Sequence, residues 1–410
     1  MKQRAKTPKK KVKYYNLPDE TPETQEPPRT KRRKEAKKRR FLKIGLLVIF
    51  AAILLAIVTG LDMADSTWLK ESIFGGSEGK GYPVTINGTE ASYRNFTLVG
   101  SRPAYVSDTH FVILNQKGGA DALLQHRYRT PVLEQSSRYY LIYDLGNKGY
   151  SIYNTRELLH SNTLTGQILC GDIGNNGTYA IASSTSGFAS QMTVYSKDYA
   201  VASPEIYSWQ SPSCRITALA VSPSGKEVVA AGLSGENGEL KTTLYVFDLT
   251  SDQPKMTYEL GDTIVLSLEY QSKKKVSIIG DHGTFVYDTE ETVLTGYPYE
   301  GEQLFGYACT EDAIQLLLSP YESGENSHLA ILNASGTETL DLPLNEVATA
   351  VAEGKDAWYV LAGNTVVGYD AEGTQIFRQE VGSDARNILC KGDQLYVLGL
   401  QEIRCYEIKD

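Results

Sequence analysis

The sequence predicts an all-β chain, an eight-bladed β-propeller set behind an N-terminal transmembrane helix and a disordered basic arm. Three observations predict it. One short sentence recurs eight times: Phe111–Asn115, Tyr150–Asn154, Met192–Ser196, Thr243–Asp248, Phe285–Asp288, Leu329–Asn333, Val366–Asp370 and Ile403–Glu407, each a run of β-branched or aromatic residues closed by a polar one. The polar closers are spaced by 39, 42, 52, 40, 45, 37 and 37 residues, and a period near forty is that of a propeller blade. Finally, a single uncharged run, Ile44–Leu61, follows a strongly basic segment.

In order along the chain, residues 1–43 hold 17 Lys or Arg against five acids, a balance of +12 that leaves −20 over residues 44–410. The arm, residues 1–40, has few apolar side chains to offset the entropy of ordering, and Pro18, Pro22, Pro27 and Pro28 interrupt any helix. Phe41-Leu42 extend the apolar run, so residues 41–61 are long enough at about 1.5 Å per residue to cross a hydrocarbon core of roughly 30 Å. The weak cleavage match at Thr59-Gly60-Leu61 and the length of the basic region favour an uncleaved anchor over a removed signal. Lys37-Lys38-Arg39-Arg40 lie before the span, and Asp62, Asp65 and Glu71 follow it. The positive-inside rule then places the N-terminus in the cytoplasm and the remainder outside, in a single-pass cell-membrane protein. The basic cluster suits anionic lipid headgroups; no aromatic interleaving or fold accompanies it to suggest nucleic acid.

Residues 62–81 read as a flexible linker, with Gly75-Gly76-Ser77 and Gly79-Lys80-Gly81 at its end. The propeller occupies residues 82–410. Each full repeat divides into four strands, for example Ile216–Ser222, Glu227–Gly232, Thr242–Phe247 and Lys255–Leu260. The last repeat provides only three, Asn387–Cys390, Gln394–Gly399 and Glu402–Ile408, while Pro83–Thr89 stands isolated before the first. A ring closes without an exposed edge if Pro83–Thr89 becomes the missing fourth strand. Seven blades is the alternative count, because the 52-residue interval and the weak opening repeat can shift it.

Val221-Ser222-Pro223-Ser224-Gly225-Lys226 resembles the Ser-Pro-x-Gly-Lys turn of WD40-like and TolB-like propellers. Asp370–Phe377 and Asn333–Leu340 resemble the Asp-x-x-Gly-x-x-x-Trp segments of quinoprotein-like (PQQ-like) repeats, with Phe377 and Leu340 where that family has its docking Trp. The architecture as a whole resembles single-span propeller proteins of Gram-positive bacteria. Such a resemblance implies a fold, not an activity.

Chemistry-bearing residues are scattered. His110, His126, His160, His282 and His328 fall in separate repeats without paired-ligand spacing, and they read as surface or turn residues. Cys170, Cys214, Cys309, Cys390 and Cys405 are odd in number and lack a Cys-x-x-Cys. Cys170, Cys309 and Cys390 fall on strands expected to line the ring interior, and most of the five read as buried thiols. Gly171-Asp172-Ile173-Gly174-Asn175-Asn176-Gly177 is rich in oxygen but lacks calcium-loop spacing, and reads as a turn, as do Asp281-His282-Gly283 and Asp393. The 27 tyrosines, among them Tyr139, Tyr140, Tyr143, Tyr150 and Tyr153, suit strands and also suit contacts with sugars or proteins.

No nucleotide loop or nucleophile elbow occurs, so no catalytic, cofactor-binding or metal-binding residue is assigned. The leading expectation is a non-enzymatic binding or scaffold module for a protein, peptide or cell-envelope ligand on one face of the ring. A quinoprotein-like oxidoreductase or propeller hydrolase is the enzymatic alternative. Quinoprotein chemistry needs a Trp-rich floor, and the chain has only Trp68, Trp209 and Trp358. A transmembrane signal or sensor protein, with Thr7-Pro8 and Thr21-Pro22 as phosphorylation candidates in the arm, is the third.

Overall fold

A computed structural model describes residues 79–200, 204–236 and 238–408. The arm, the span and nearly all of the linker, residues 1–78, lie outside the described residues. Among the described residues no helix is long and apolar enough to cross a membrane. Thirty-two strands form eight four-stranded antiparallel sheets. Blade 1 is Ala91–Val99 (β2), Arg102–Ser107 (β3), His110–Leu114 (β4) and Ala120–Gln125 (β5). Blades 2, 3 and 4 begin at Pro131–Gln135 (β6), Ile168–Ile173 (β10) and Arg215–Val221 (β14). Blades 5, 6 and 7 begin at Val265–Tyr270 (β18), Gln303–Cys309 (β22) and Ala348–Glu353 (β26), and each continues as a meander of three more strands.

Blade 8 is built from both ends of the ring: Asn387–Lys391 (β30), Gln394–Leu398 (β31), Glu402–Glu407 (β32), and outermost Val84–Thr85 (β1). Val84 pairs with Ile403 and Thr85 with Glu402, and Ile86 N donates to Gln401 O at 2.8 Å. The closing strand is shorter than the expected Pro83–Thr89, because residues 87–89 already turn toward blade 1. There Asn87 N donates to Tyr105 Oη at 2.9 Å and Thr89 N to an Asp108 carboxylate oxygen at 2.8 Å. Eight blades, not seven, close the circle.

The recurring sentence has a structural identity: its eight copies are the third strands, β4, Gly149–Tyr153 (β8), Phe188–Tyr195 (β12), Glu239–Phe247 (β16), Gly283–Asp288 (β20), His328–Asn333 (β24), Thr365–Tyr369 (β28) and β32. Second and third strands lie between neighbouring blades with both faces covered, so they are apolar throughout; every residue of Tyr140–Asp144 (β7) is buried. Fourth strands keep one face in solvent and alternate, as in Glu338–Pro343 (β25). Eight hydrophobic clusters form the core, one at each junction of blades. The cluster at the closure brings Ile86, Tyr396, Leu398 and Ile403 against Phe96, Tyr105, Val112 and Leu114.

Antiparallel meanders divide the connections between two faces. One face carries the turns from first to second and from third to fourth strand; the other carries the second-to-third turns and the links to the next blade. We call them the turn face and the link face. On the turn face, the polar closers of the repeat are Asx turns or their serine equivalent. Asn115 Oδ1 accepts from Lys117 N and Gly119 N, Asn154 Oδ1 from Arg156 N and Glu157 N, and Asn333 Oδ1 from Ser335 N and Thr337 N. Asp248, Asp288 and Asp370 do the same for Thr250, Glu290 and Thr374, and Ser196 Oγ for Asp198 N. Side chains of this face also bolt blade to blade: Asn176 Nδ2 donates to Ser224 O at 2.7 Å, and Asn175 Oδ1 accepts from Ser137 N at 2.8 Å. Gly225 of the Ser-Pro-Ser-Gly turn has φ +67° and stands where a Cβ would meet Asn176 Nδ2 at 2.4 Å, so both its conformation and its neighbour require glycine.

Candidate functional site

Two regions concentrate exposed chemistry, the bore of the ring and the link face. The bore is lined by the first strands, and titratable side chains from several blades converge in it. Glu134 of β6, Asp172 of β10 and Glu269 of β18 feel one another's charge, with Tyr143, Cys170 and Cys309 beside them. Burial pushes the Glu134 carboxyl well above the usual carboxylate range, and the charges of Asp172 and Glu269 add to it. Asp172 is pushed up to about 7, chiefly by burial, against the hydrogen bond it accepts from Val221 N of blade 4 at 2.6 Å. Burial raises Glu269 as well, and raises the thiols of Cys170 and Cys309, so neither thiol is a ready nucleophile. The bore keeps Glu269 in reach of solvent and Glu134 and Asp172 half-buried, which softens the desolvation behind these shifts.

Arg94 lies among Tyr93, Tyr143 and Tyr307, its Nε donating to Tyr93 Oη at 3.2 Å. Among the described residues no group of three or more His, Cys, Asp or Glu side chains is arranged to hold a metal ion. Paired carboxylates with raised pKa are the raw material of acid–base chemistry, but each of these sits on its own blade, and burial holds the thiols beside them protonated.

The residues singled out in the sequence are dispersed as expected from their spacing. His126 Nε2 meets Ser107 O at 3.1 Å, His160 lies between the rings of Tyr150 and Tyr199, and His282 faces Asp262 and Asp281. His328 is clamped between Glu302, at 2.9 Å from Nε2, and Asp341 on Nδ1. Burial works against its protonation, but these two hydrogen bonds and charges outweigh it and raise its pKa. Cys170, Cys309 and Cys390 do lie on first strands, and all five cysteines are free. The oxygen-rich segment 171–177 is the end of β10 and the turn after it, with Asp172, Asn175 and Asn176 each bonded to a neighbouring blade. Asp281 is occupied by Ile264 N at 2.7 Å, and Asp393 lies at the turn between β30 and β31. Of the tyrosines, Tyr140, Tyr150 and Tyr153 are among the largest fully buried side chains. Trp209 packs on Tyr245 and Phe247 at the outside of blades 3 and 4, and Trp358 packs with the core between blades 6 and 7, so neither floors the bore.

Sequence reasoning missed the three bore carboxylates. A signal existed: in the aligned repeats an acid recurs at the next-to-last residue of the first strand, as Glu134, Asp172 and Glu269, where an inward-facing apolar residue would otherwise serve.

The link face differs from the turn face in what it exposes. Of the thirteen large apolar side chains exposed among the described residues, eight belong to the link face. Leu145, Phe188, Leu240, Tyr321 and Leu400 are at second-to-third turns, and Tyr93, Leu266 and Val347 are at the entries to first strands. The other five are on fourth strands at the rim, where Leu158, Ile206, Val293 and Ile376 stand at the first or second residue after a turn-face loop and Leu123 lies further along its strand. Val228–Glu236 (β15) and β16, nine residues each, make the longest hairpin on this face.

Residues 80–408 match the model of the family of unknown function DUF5711, and the chain belongs to that family. No curated protein matches it. Many solved structures are similar, three of them as follows. BamB from Moraxella catarrhalis has 9% identity and a TM-score of 0.49, covering 79% of this chain and 100% of that one. The Kuenenia stuttgartiensis hydrazine synthase has 10% identity and a TM-score of 0.45, covering 80% and 98%. A eukaryotic initiation factor has 13% identity and a TM-score of 0.45, covering 81% and 94%. At these values the likenesses bear on neither site nor activity.

Proposed function

We propose that the chain is a membrane-anchored, extracytoplasmic binding module that holds a protein, peptide or cell-envelope partner on the link face of its propeller and catalyses nothing. The observation that carries this reading is the concentration of exposed apolar side chains on the link face, which holds eight of the thirteen among the described residues, all of the second-to-third turn ones included. Large aromatic and aliphatic groups gathered in water mark a contact surface. The anchor rests on residues 41–61, the outward placement on the change from +12 to −20 across them.

Photo-crosslinking amino acids placed at Phe188 and Leu400, and at Ser335 and Glu372 on the turn face of the full chain in cells, test the reading. Discrete adducts are expected from the first pair only. Adducts of equal yield from both pairs, or none from the link face, would overturn it.

The bore supports a second reading, a small-molecule or enzymatic site, because Glu134, Asp172 and Glu269 are a convergent set with raised pKa values. A small molecule retained by the purified full chain through gel filtration, and lost on Asp172→Asn, would favour it over the first.

A further inference from the structure

Charge on the link face is unevenly spread around the ring. From the β15–β16 hairpin round to the entry of β26, this face carries the carboxylates of Glu239, Asp262, Asp281, Glu300, Glu322 and Glu325 with one ammonium, that of Lys241. Lys241 is itself turned toward Glu259, 3.0 Å away. Glu302 and Glu346 lie on the same arc but are paired with His328 and Arg378. The opposite arc is near balance, since Arg127, Arg129, Lys148, Arg215 and Arg386 offset its acids.

The acidic arc also holds a notch of about 770 Å³ between the β15–β16 hairpin and the loops of blade 5. Leu240 and Ile264 form its apolar side, and Glu239, Asp262 and Asp281 its acidic side, with Lys241 and His282 also on its wall and Leu266 exposed nearby. Apolar and anionic walls so close together suit one kind of side chain, a long stem with a cation at its end.

Building on the link-face reading, we propose that this notch anchors the partner, which docks an extended polypeptide segment carrying an arginine or lysine beside an apolar residue. The stem lies on Leu240 and Ile264, and the cation reaches Asp262 and Glu239, both exposed; among the described residues neither is paired with a Lys or Arg, and the basic group that faces Asp262 is His282, 3.9 Å away. Charge argues against other occupants. A second copy brings its own share of the −20 over residues 44–410, and an anionic lipid surface or a nucleic acid is repelled by the same arc.

The test uses the full chain in nanodiscs and two fluorescein-labelled synthetic twelve-residue peptides, one alternating Leu with Arg and one alternating Leu with Glu, read by anisotropy. The Leu/Arg peptide is expected to bind at least about tenfold more tightly than Leu/Glu. That preference should fall about tenfold in the Glu239→Lys/Asp262→Lys double variant, weaken in Leu240→Ser, and persist in Glu372→Lys on the turn face. Equal binding of the two peptides overturns the proposal, as does an equal loss in Glu372→Lys, which would mean diffuse acidity with no anchor point. Crosslinks from Phe188 and Leu400 without a peptide preference would leave the link-face reading standing and remove this one; a preference at the notch without those crosslinks would do the reverse.

Discussion

The two faces of the ring are made by the same strands, yet they solve opposite problems. On the turn face nearly every polar side chain has a task. Asx turns close the third-to-fourth hairpins, and Asn175, Asn176 and Asp172 reach across to the next blade. The link face leaves Phe188, Leu240, Tyr321 and Leu400 in water, at a cost in solvation. The contrast teaches where constraint lies: the turn face holds the fold together, and the link face is free to be shaped by what it meets.

The strongest break of that contrast is at the closure, where both faces depend on one short strand. Deleting residues 82–90 removes β1 and the Ile86 side chain from the junction of blades 8 and 1, and should lower the melting temperature several times more than deleting 75–81. Ile86→Ala alone should cost about 2–5 kcal/mol, against almost nothing for Ile376→Ala on the rim. Equal losses from the two deletions would discard the closure.

Next in size is the bore. Asp172 is held up to about 7 from a usual 3.8, so its protonated form fits the fold, and the stability it gives is full below about pH 4 and lost as pH rises through 7. Asp172→Asn keeps an acceptor for Val221 N and removes the charge. Its melting temperature should exceed that of the parent at pH 8 by a margin that shrinks to nothing near pH 4. A constant difference across that range would show that burial of the Asp172 charge is not the cause. The comparison must be by difference, because His328, with its raised pKa, also makes the parent less stable as pH rises.

Single Asx turns should matter less. Asn333→Ala and Asp370→Ala each leave two backbone N–H groups without their acceptor and should cost about 0.5–2 kcal/mol by denaturant titration. The smallest effect is expected on the other face, where Leu240→Glu and Leu400→Glu should change stability by no more than about 0.5 kcal/mol while abolishing partner crosslinks. A link-face substitution as costly as an Asx one would erase the distinction between the faces.

Much of the ring was legible before any coordinates. The third strands announce themselves because both their faces are buried, which makes Phe111–Leu114 or Leu329–Leu332 a continuous apolar run, and the closing Asn or Asp marks the turn that follows. The closure was legible too, from a blade one strand short, although the extent of β1 was not: pairing stops where Asn87 and Thr89 find partners in blade 1. The bore acids were hidden because Glu134, Asp172 and Glu269 are neighbours only across the ring, and no spacing along the chain encodes that nearness. The apolar link face was hidden for a different reason. Leu240 and Leu400 fall between expected strands in the sequence, and nothing about a lone loop leucine tells whether it folds back onto the core or stays in water.

The chain enters the ring on the turn face, where Gly81 N donates to Lys117 O at 2.9 Å, and passes straight into β1. Any pull on the N-terminal side of the chain against the ring is therefore borne first by β1 and its pairing with β32. Val84 and Thr85 are its only paired residues, with the Ile86 bond beyond them, and Tyr82 and Ile86 packed at either end. Under tension the ring has a designated point of yielding: blade 8 peels at its outer strand while the seven blades made from continuous chain stay folded. The same seam that closes the circle thus sets the largest force the circle can transmit.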